Sequence, residues 1–150
     1  MKRAIFPGTF DPFTIGHYNL VTRGLKLFDE IVIGIGVNQS KKTLFDTEKR
    51  IDIIQQAFSS EPRVQVMTYD SLTVDFAVSA EADYILRGVR SVADFDYEHT
   101  IANSNRMLSG IETVVLFTDK EYSFISSTVV RDLIAYGKDI TAFLPPHVKL

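Results

Sequence analysis

The chain has 150 residues, of which 45% are hydrophobic and 23% charged, with a formal net charge of −3. This composition is typical of a globular protein with a core of its own, so we expect one domain over residues 1–150. The acidic balance argues against a general nucleic-acid-binding surface, no apolar run reaches the ~18 residues of a membrane span, and the absence of cysteine excludes disulfides and favours a cytoplasmic protein.

Strand-like and helix-like segments alternate along the chain. Short, continuously apolar runs predict strands at residues 3–6, 30–37, 64–67, 84–86 and 113–117. Apolar residues at helical spacing predict helices at residues 16–28, 47–58, 71–80, 92–108 and 127–136. We expect Thr47 to cap the second helix, Gly110 to end the fourth, and Gly137 to follow the last. The alternation predicts an α/β fold with a Rossmann-like, doubly wound parallel sheet of five strands.

Polar residues concentrate in four segments that follow predicted strands. They are residues 8–17, 38–45, 87–90 and 118–128. In open α/β sheets, ligands bind in the crevice beyond the carboxyl ends of the strands. We therefore expect these segments to converge on one site.

The segment after the first strand, PGTFDPFTIGH, has the features of an anion-binding turn. It leads from a strand to a helix start, where free N–H groups and the helix dipole attract negative charge. We expect Gly8 to let the backbone approach a ligand, Gly16 to leave room across the helix start, and His17 to point at the anion. Neither a P-loop nor a dinucleotide fingerprint is present, and Gly34 and Gly36 are interpreted as packing features inside a strand.

Two motifs resemble the paired signatures of the nucleotidylyltransferase superfamily. TIGH at residues 14–17 resembles an HxGH motif with Thr14 in the first place, and ISSTVVR at residues 125–131 resembles ISSTxxR. Together with RAIFPGTFDPFTIGH, SKK at 40–42, RGVRSVADFDYE at 87–98, NR at 105–106 and EYSFISST at 121–128, they resemble the bacterial phosphopantetheine adenylyltransferases. The resemblance spans essentially the full chain. The chain departs from the family pattern at Phe6, Thr73 and Tyr122, which concern the binding pockets more than the chemistry.

The resemblance implies transfer of AMP from ATP to the phosphate of 4′-phosphopantetheine, which yields dephospho-coenzyme A and pyrophosphate in coenzyme A biosynthesis. It also implies a homohexamer, and Mg²⁺ that accompanies ATP and is held mainly by phosphates and water. The helix predicted at residues 71–80 is apolar on more than one face, which favours subunit contact. Because the nucleophile is already an anion, catalysis should depend on positioning and electrostatics and not on a strong base.

The resemblance also implies roles for individual residues. It makes His17, Lys41 and Arg90 catalytic, with His17 donating a hydrogen bond to the α-phosphate in a protonation state that the sequence leaves open. The residues implied in phosphopantetheine binding are Thr9, Lys41, Thr73 and Arg87. The residues implied in ATP binding are Thr9, Phe10, His17, Gly88, Val89, Arg90, Glu98, Asn105, Ser123, Phe124, Ile125, Ser126, Ser127, Thr128 and Val129. No protein ligand to a metal is implied.

Several of these residues also have simpler interpretations. An isolated histidine is more often a cap or a core residue, and Lys41 alone would be a solvated loop charge. Glu98 and Asn105 lie seven residues apart on one predicted helix, so they share a face that is also consistent with a polar surface. Arg131 either supports the phosphate site or only pairs with acids. Asp11 is interpreted as a turn-forming residue.

Other functions compete with this hypothesis. A nicotinate-nucleotide or glycerol-phosphate nucleotidyltransferase shares the superfamily motifs, and a fragment of a class I aminoacyl-tRNA synthetase shares the HxGH logic. A cytidylyltransferase is expected to carry a different last motif. A catalytically silent nucleotide sensor is expected to lack His17, Lys41 or Arg87, and all three are present.

Overall fold

The computed structural model describes all 150 residues and contains every predicted strand and helix. The strands are β1 (Arg3–Gly8), β2 (Glu30–Gly36), β3 (Val64–Tyr69), β4 (Tyr84–Val89) and β5 (Glu112–Phe117). The helices are α1 (Ile15–Gly24), α2 (Thr47–Ala57), α3 (Thr73–Ser79), α4 (Val92–Ser109) and α5 (Ser127–Ala135), and short 3₁₀ turns lie at Lys120–Tyr122 and Thr141–Phe143. None of the helices combines the length and the apolar character that crossing a membrane requires.

The five strands form one parallel sheet in the order β3-β2-β1-β4-β5. The chain builds outward from β1 through β2 to β3, and then returns to the other side of β1 with β4. This reversal is the topological switch point of a doubly wound sheet, so the predicted Rossmann-like architecture is confirmed. The crevice that such a reversal opens lies beyond the carboxyl ends of β1 and β4.

Both faces of the sheet are covered by apolar contacts, as the sequence of β2 requires. Side chains alternate along a strand, and Ile31, Ile33 and Ile35 all belong to the larger core cluster, which includes residues of α1, α2 and α5. Val32 points to the opposite face and packs in a smaller cluster with Phe76 of α3. A strand buried on both faces must be apolar at every position, which explains its continuous apolar run.

The outer helix α4 is the one helix without a buried apolar side chain, since its only buried residue is Glu98. Several of its apolar side chains are open to solvent, including Val92, Phe95, Tyr97 and Met107. The neighbouring strand β5 adds Phe117, which is 75% exposed. We call these five side chains the outer apolar surface.

The ends of several elements follow the predicted signals. Gly110 and Gly137 have positive φ values of 76° and 69°, and they stand at the end of α4 and just after α5, as expected. The cap of α2 was wrongly assigned to Thr47, because Asp46 accepts a hydrogen bond from the N–H of Lys49 at 2.8 Å and makes Thr47 the first helical residue. The fourth strand extends to Val89 and therefore includes residues that were predicted to lie in the loop after it.

Gly34 is a packing residue, as its place inside a strand predicted. A Cβ atom at this position would overlap the ring of Phe76, which stacks on Tyr69 with a centroid separation of 4.5 Å. Gly36, two residues further along β2, is different: a Cβ there would meet its nearest atoms at 3.7 Å, an ordinary contact distance. Of the two positions, only that of Gly34 has too little space for a side chain.

We predict that Gly34→Ala lowers the free energy of unfolding by about 1–3 kcal/mol, because the added methyl group displaces Phe76 from a well-packed face of the sheet. Urea denaturation followed by circular dichroism measures the change. Gly36→Ala is the matched control and should be neutral or slightly stabilising, since alanine loses less conformational entropy on folding than glycine. Equal stabilities for the two variants would contradict this account.

Candidate active site

A cavity of about 430 Å³ lies beyond the carboxyl ends of β1 and β4, where the strand order reverses. Each of the four predicted polar segments contributes to its lining: residues 8–17, residues 38–45, the end of β4, and residues 118–128. The predicted convergence of these segments is therefore confirmed. The helix α4 adds Asp94 and Glu98, and α5 adds Arg131.

The structure brings together most of the residues that the sequence singled out. Those that line the cavity are Thr9, Phe10, His17, Lys41, Arg87, Gly88, Arg90, Glu98, Ile125, Ser126, Ser127 and Thr128. Those outside its lining are Thr73, Val89, Asn105, Ser123, Phe124 and Val129. The binding roles of all these residues stay predictions.

Each residue outside the lining has another local role. Val89 is 5% exposed and belongs to the protein interior, whereas Phe124 is 64% exposed and contacts Phe143 edge-on. The hydroxyl of Ser123 donates to the carbonyl of Lys120 at 2.9 Å.

The remaining three are also accounted for by their contacts. The N–H of Val129 donates to Ser126 Oγ at 3.2 Å, so the cap of α5 already uses it. The hydroxyl of Thr73 lies 3.2 Å from that of Tyr69, beside a second cavity. Asn105 lies two turns beyond Glu98 on α4, and its carbonyl accepts from Ser109 at 2.7 Å.

His17 forms a reciprocal cap with Thr14 at the start of α1. The hydroxyl of Thr14 accepts the His17 N–H at 3.4 Å, and the Thr14 N–H donates to His17 Nδ1 at 3.0 Å. An Nδ1 atom that accepts a hydrogen bond carries no proton, so the proton of the neutral ring is on Nε2. His17 is therefore both a cap and a hydrogen-bond donor toward the cavity that it lines.

The environment of His17 keeps its ring neutral. Burial first, and then the positive charges of Arg90 and Arg87, lower the pKa of His17 from 6.5 to about 3. The rings of Phe10 and Phe13 contribute to this burial, with centroids 5.0 and 5.2 Å from the imidazole. The protonation state that the sequence left open is thus the neutral Nε2–H form at physiological pH.

Arg87 is held in a fixed orientation by Glu98. Its Nε and Nη2 atoms donate to the two carboxylate oxygens at 2.9 and 2.7 Å, and its Nη1 donates to the Pro7 carbonyl at 2.7 Å. The buried position of Glu98 excludes the simpler interpretation of this residue as part of a polar surface. A forked pair of this kind fixes the plane of the guanidinium as well as its charge.

Arg90 joins the end of β4 to the last motif. Its Nη1 donates to the Ile125 carbonyl at 3.2 Å, and its Nε lies 3.5 Å from Asp94 Oδ2, which also accepts the Arg90 backbone N–H at 3.1 Å. Lys41 differs from both arginines, because its side chain is exposed and its Nζ lies 3.5 Å from the Thr9 hydroxyl, with no carboxylate partner. The site therefore combines fixed cations with a mobile one.

Asp11 has a role that the sequence analysis missed. It is 4% exposed, and its two carboxylate oxygens accept the N–H groups of Leu44 and Phe45, each at 2.8 Å. Arg131 donates to the Asp11 carbonyl at 2.8 Å and lies 3.9 Å from its carboxylate. Asp11 lies in a turn, but its carboxylate does not bond within that turn: it ties its own loop to the Lys41 loop, and its carbonyl accepts from Arg131 of α5. The signal that could have revealed this role is an acidic residue with aromatic and proline neighbours in the sequence, Phe10, Pro12 and Phe13, which indicates a buried carboxylate with partners elsewhere in the chain.

The expectations for the two glycines of the first loop are only partly met. A Cβ at Gly8 would come within 2.8 Å of the Phe10 ring, so the missing side chain makes room for this phenylalanine and not for a ligand. At Gly16 a Cβ would meet only Thr14 and Tyr122 side-chain atoms, at 3.5 and 3.8 Å, which are ordinary contacts. There is room at the start of α1, but the protein itself does not require glycine there.

The cavity as a whole favours anions. Its lining contains five basic and three acidic side chains, and the acidic ones are already paired with arginines or backbone N–H groups. The starts of α1 and α5 both reach it, through Gly16 and through Ser127 and Thr128. The first N–H groups of a helix have no intrahelical acceptor, so both starts offer free donors to bound phosphates.

We predict that the free energy of unfolding falls as the pH is lowered from 6.5 toward 3, in part through His17. In this interval the unfolded chain protonates His17, whereas the folded protein keeps it neutral, so acid favours unfolding by at most about 1.4 kcal/mol per pH unit. Urea titrations at several pH values should give a shallower pH dependence for His17→Gln than for the unmodified chain. Identical slopes would show that His17 does not resist protonation.

Comparisons with known proteins agree with this geometry. A family model described as cytidylyltransferase-like matches residues 5–133. The chain is 59% identical over 150 residues to a protein from Phocaeicola vulgatus named Phosphopantetheine adenylyltransferase, with 100% of this chain and 99% of that protein covered. A protein of the same name from Flavobacterium johnsoniae is 50% identical, again covering 100% of this chain and 99% of that protein.

The fold is shared with solved structures at low sequence identity. A bifunctional NMN adenylyltransferase/ADP ribose pyrophosphatase from Francisella tularensis superposes with a TM-score of 0.73 at 14% identity, over 97% of this chain and 45% of that one. The resemblance drawn from the TIGH and ISSTVVR motifs is confirmed by the match over the full chain. The chain belongs to the cytidylyltransferase-like family and, within it, to the phosphopantetheine adenylyltransferases.

Proposed function

We propose that the chain transfers the adenylyl group of ATP to the phosphate of 4′-phosphopantetheine, giving dephospho-coenzyme A and pyrophosphate in coenzyme A biosynthesis. One observation carries the proposal: a single cavity contains a neutral histidine that can donate a hydrogen bond, two arginines held in fixed orientations, and the starts of two helices. Full-length identity of 59% to a protein named for this activity supports the choice of substrates.

The reaction needs charge stabilisation and no strong base. A phosphate oxygen of phosphopantetheine attacks the α-phosphorus of ATP, the bond from that phosphorus to the pyrophosphate oxygen breaks, and negative charge grows on the α-phosphate oxygens. The Nε2–H of His17 donates to one of these oxygens. In the free protein the pKa of His17 is lowered to about 3, so this neutral donor is in place before the substrates bind.

Each basic side chain of the cavity has its own part in bringing the two polyanions, ATP and phosphopantetheine, together. Arg87, oriented by Glu98, binds the phosphate of phosphopantetheine, and Arg90 binds ATP near the reacting phosphorus. Lys41 follows the incoming phosphate, because its exposed side chain is free to move with it. The start of α5, from Ser126 to Thr128, receives the β- and γ-phosphates.

The two substrates meet at residues shared by two cavities. A second cavity of about 570 Å³ is lined by the ends of β2 and β3, and it has Thr9 and Lys41 in common with the first. We assign the pantetheine arm to this second cavity, where Thr73 contacts the lining residue Tyr69. The phosphate at the end of that arm then reaches Thr9 and Lys41, next to the α-phosphate of ATP.

We propose Mg²⁺ as the companion of ATP. No group of three or more histidine, aspartate or glutamate side chains is arranged to hold a metal ion. The cavity carboxylates of Asp11, Asp94 and Glu98 are all engaged with arginines or backbone N–H groups. This donor set fits an ion held by phosphate oxygens and water, which would neutralise part of the phosphate charge. We place the reaction in the cytoplasm, where ATP is available.

We predict that purified protein releases pyrophosphate from ATP and Mg²⁺ with 4′-phosphopantetheine as acceptor, and that His17→Ala lowers kcat by about 10²–10³-fold through loss of one transition-state donor. His147→Asn is the matched control, since His147 is exposed and lies outside both cavities. Nicotinate mononucleotide serves as the rival acceptor.

Three results would contradict parts of the proposal. Faster release with nicotinate mononucleotide would overturn the assigned acceptor. ATP binding without release with either acceptor would favour a catalytically silent sensor. Full activity of His17→Ala would remove His17 from the mechanism.

We also propose a homohexamer, in which the outer apolar surface is covered by neighbouring subunits. Exposed apolar side chains gathered on one helix and the adjacent edge strand are typical of subunit contacts.

If the protein is a homohexamer, sedimentation should give a mass of about 101 kDa, six times the 16.9 kDa of one chain. Met107→Glu should shift the protein to smaller species, because Met107 is 89% exposed in the isolated chain, whereas Leu27→Glu, away from this surface, should not. A monomer at micromolar concentration would contradict the proposal.

A further inference from the structure

Arg50 of α2 is a buried cation without a counter-ion. It is 3% exposed, and no other lysine, arginine or histidine of the chain is as deeply buried. Its guanidinium donates to the carbonyls of Thr9 and Gly36, at 2.9 and 3.3 Å, and to the hydroxyl of Thr47 at 3.3 Å. Its Nε atom is buried without an acceptor.

The other buried charged residues are compensated. Asp11 accepts two N–H groups beside Arg131, Glu98 pairs with Arg87, and Glu30 pairs with Arg3. Arg50 takes part in none of the ion pairs of the structure. Burying a cation that has only neutral acceptors costs stability. Such a cost calls for a benefit outside the stability of the free protein.

The position of Arg50 indicates where that benefit lies. The two carbonyls that it binds belong to Thr9, directly after β1, and to Gly36, the last residue of β2. Both residues line the second cavity, and Thr9 also lines the first. The Nζ atom of Lys41 lies 3.5 Å from the Thr9 hydroxyl on the cavity side. The charge of Arg50 therefore stands directly behind the point that the two cavities share.

We propose that Arg50 is a positioning residue that fixes Thr9 and, by its uncompensated charge, strengthens the binding of the phosphates that meet at Thr9 and Lys41. The bound phosphates are the counter-ion that the protein itself does not supply. The inference rests on the proposed function for the identity of the substrates, but the anion affinity that it invokes is a property of the free protein. Because Arg50 is buried, solvent and salt screen its charge less than that of Lys41.

Two variants separate charge from hydrogen bonding. Arg50→Lys keeps the charge with fewer donors, and Arg50→Gln keeps an amide donor without the charge. Lys49→Gln is the matched control, since it removes one charge from the neighbouring position, where the side chain is partly exposed and pairs with Asp52 at 3.5 Å. For each protein we would measure the Kd of inorganic phosphate, as a probe of the phosphate position at Thr9 and Lys41, by calorimetry, together with KM for phosphopantetheine and kcat, and circular dichroism would test folding.

The expected result is that Arg50→Gln weakens the binding of inorganic phosphate and raises KM for phosphopantetheine by about 10-fold or more, with a smaller change in kcat, as loss of one charge near the phosphates implies. Arg50→Lys and Lys49→Gln should stay within about 3-fold of the unmodified chain in both quantities. A merely structural role would instead make Arg50→Lys and Arg50→Gln equally poor. That result, or unchanged binding in Arg50→Gln, would overturn the proposal.

Two further outcomes are also decisive. If Arg50→Gln does not fold, Arg50→Lys decides the question: retained affinity for inorganic phosphate supports the role of the charge, and lost affinity overturns the proposal. If the unmodified chain releases no pyrophosphate, the proposed function fails, while the calorimetric comparison still tests Arg50.

Discussion

The parallel pairing of β1 with both β2 and β4 is the constraint on which the rest of the molecule depends. It places the carboxyl ends of these strands at one edge of the sheet, so the loops that follow them must share one crevice. Thr9 and His17 come from the first of these loops, Lys41 from the second and Arg90 from the third. Strand order alone thus brings residues up to 81 positions apart in the chain into the lining of one cavity.

Within that crevice, positive charge and a neutral imidazole support each other. The two arginines to which we assign phosphate binding, Arg87 and Arg90, also oppose protonation of His17, so the charges that would bind the substrates keep the imidazole a neutral donor in the free protein. Carboxylates are present, but they orient arginines and loops and leave the net charge of the lining positive. The hydrogen bond from the Thr14 N–H to His17 Nδ1 has two effects, because it caps the start of α1 and also fixes the tautomer of His17.

Local patterns were sufficient to predict the fold and the convergence of loops, because continuous apolar runs such as β2 have few alternatives in a doubly wound sheet. Contacts between distant residues were not predictable in this way. The partners of Asp11 lie 33 and 34 positions away, and those of Arg50 include a carbonyl 41 positions away. Phe124 precedes the cap of α5 and contacts Phe143, and the N–H of Val129 is used by that cap; a motif does not encode such local contacts.

The pairing of Glu98 with Arg87 ties the exposed outer helix α4 to the lining of the cavity. Glu98 is the only buried residue of α4, and two ion pairs, Glu98 with Arg87 and Asp94 with Arg90, connect the helix to arginines of the cavity lining. In the homohexamer that we propose, a shift of α4 at a subunit contact would therefore move both guanidinium groups. The contacts on the outer side of α4 and the arrangement of charge in the cavity would then be coupled through these two ion pairs.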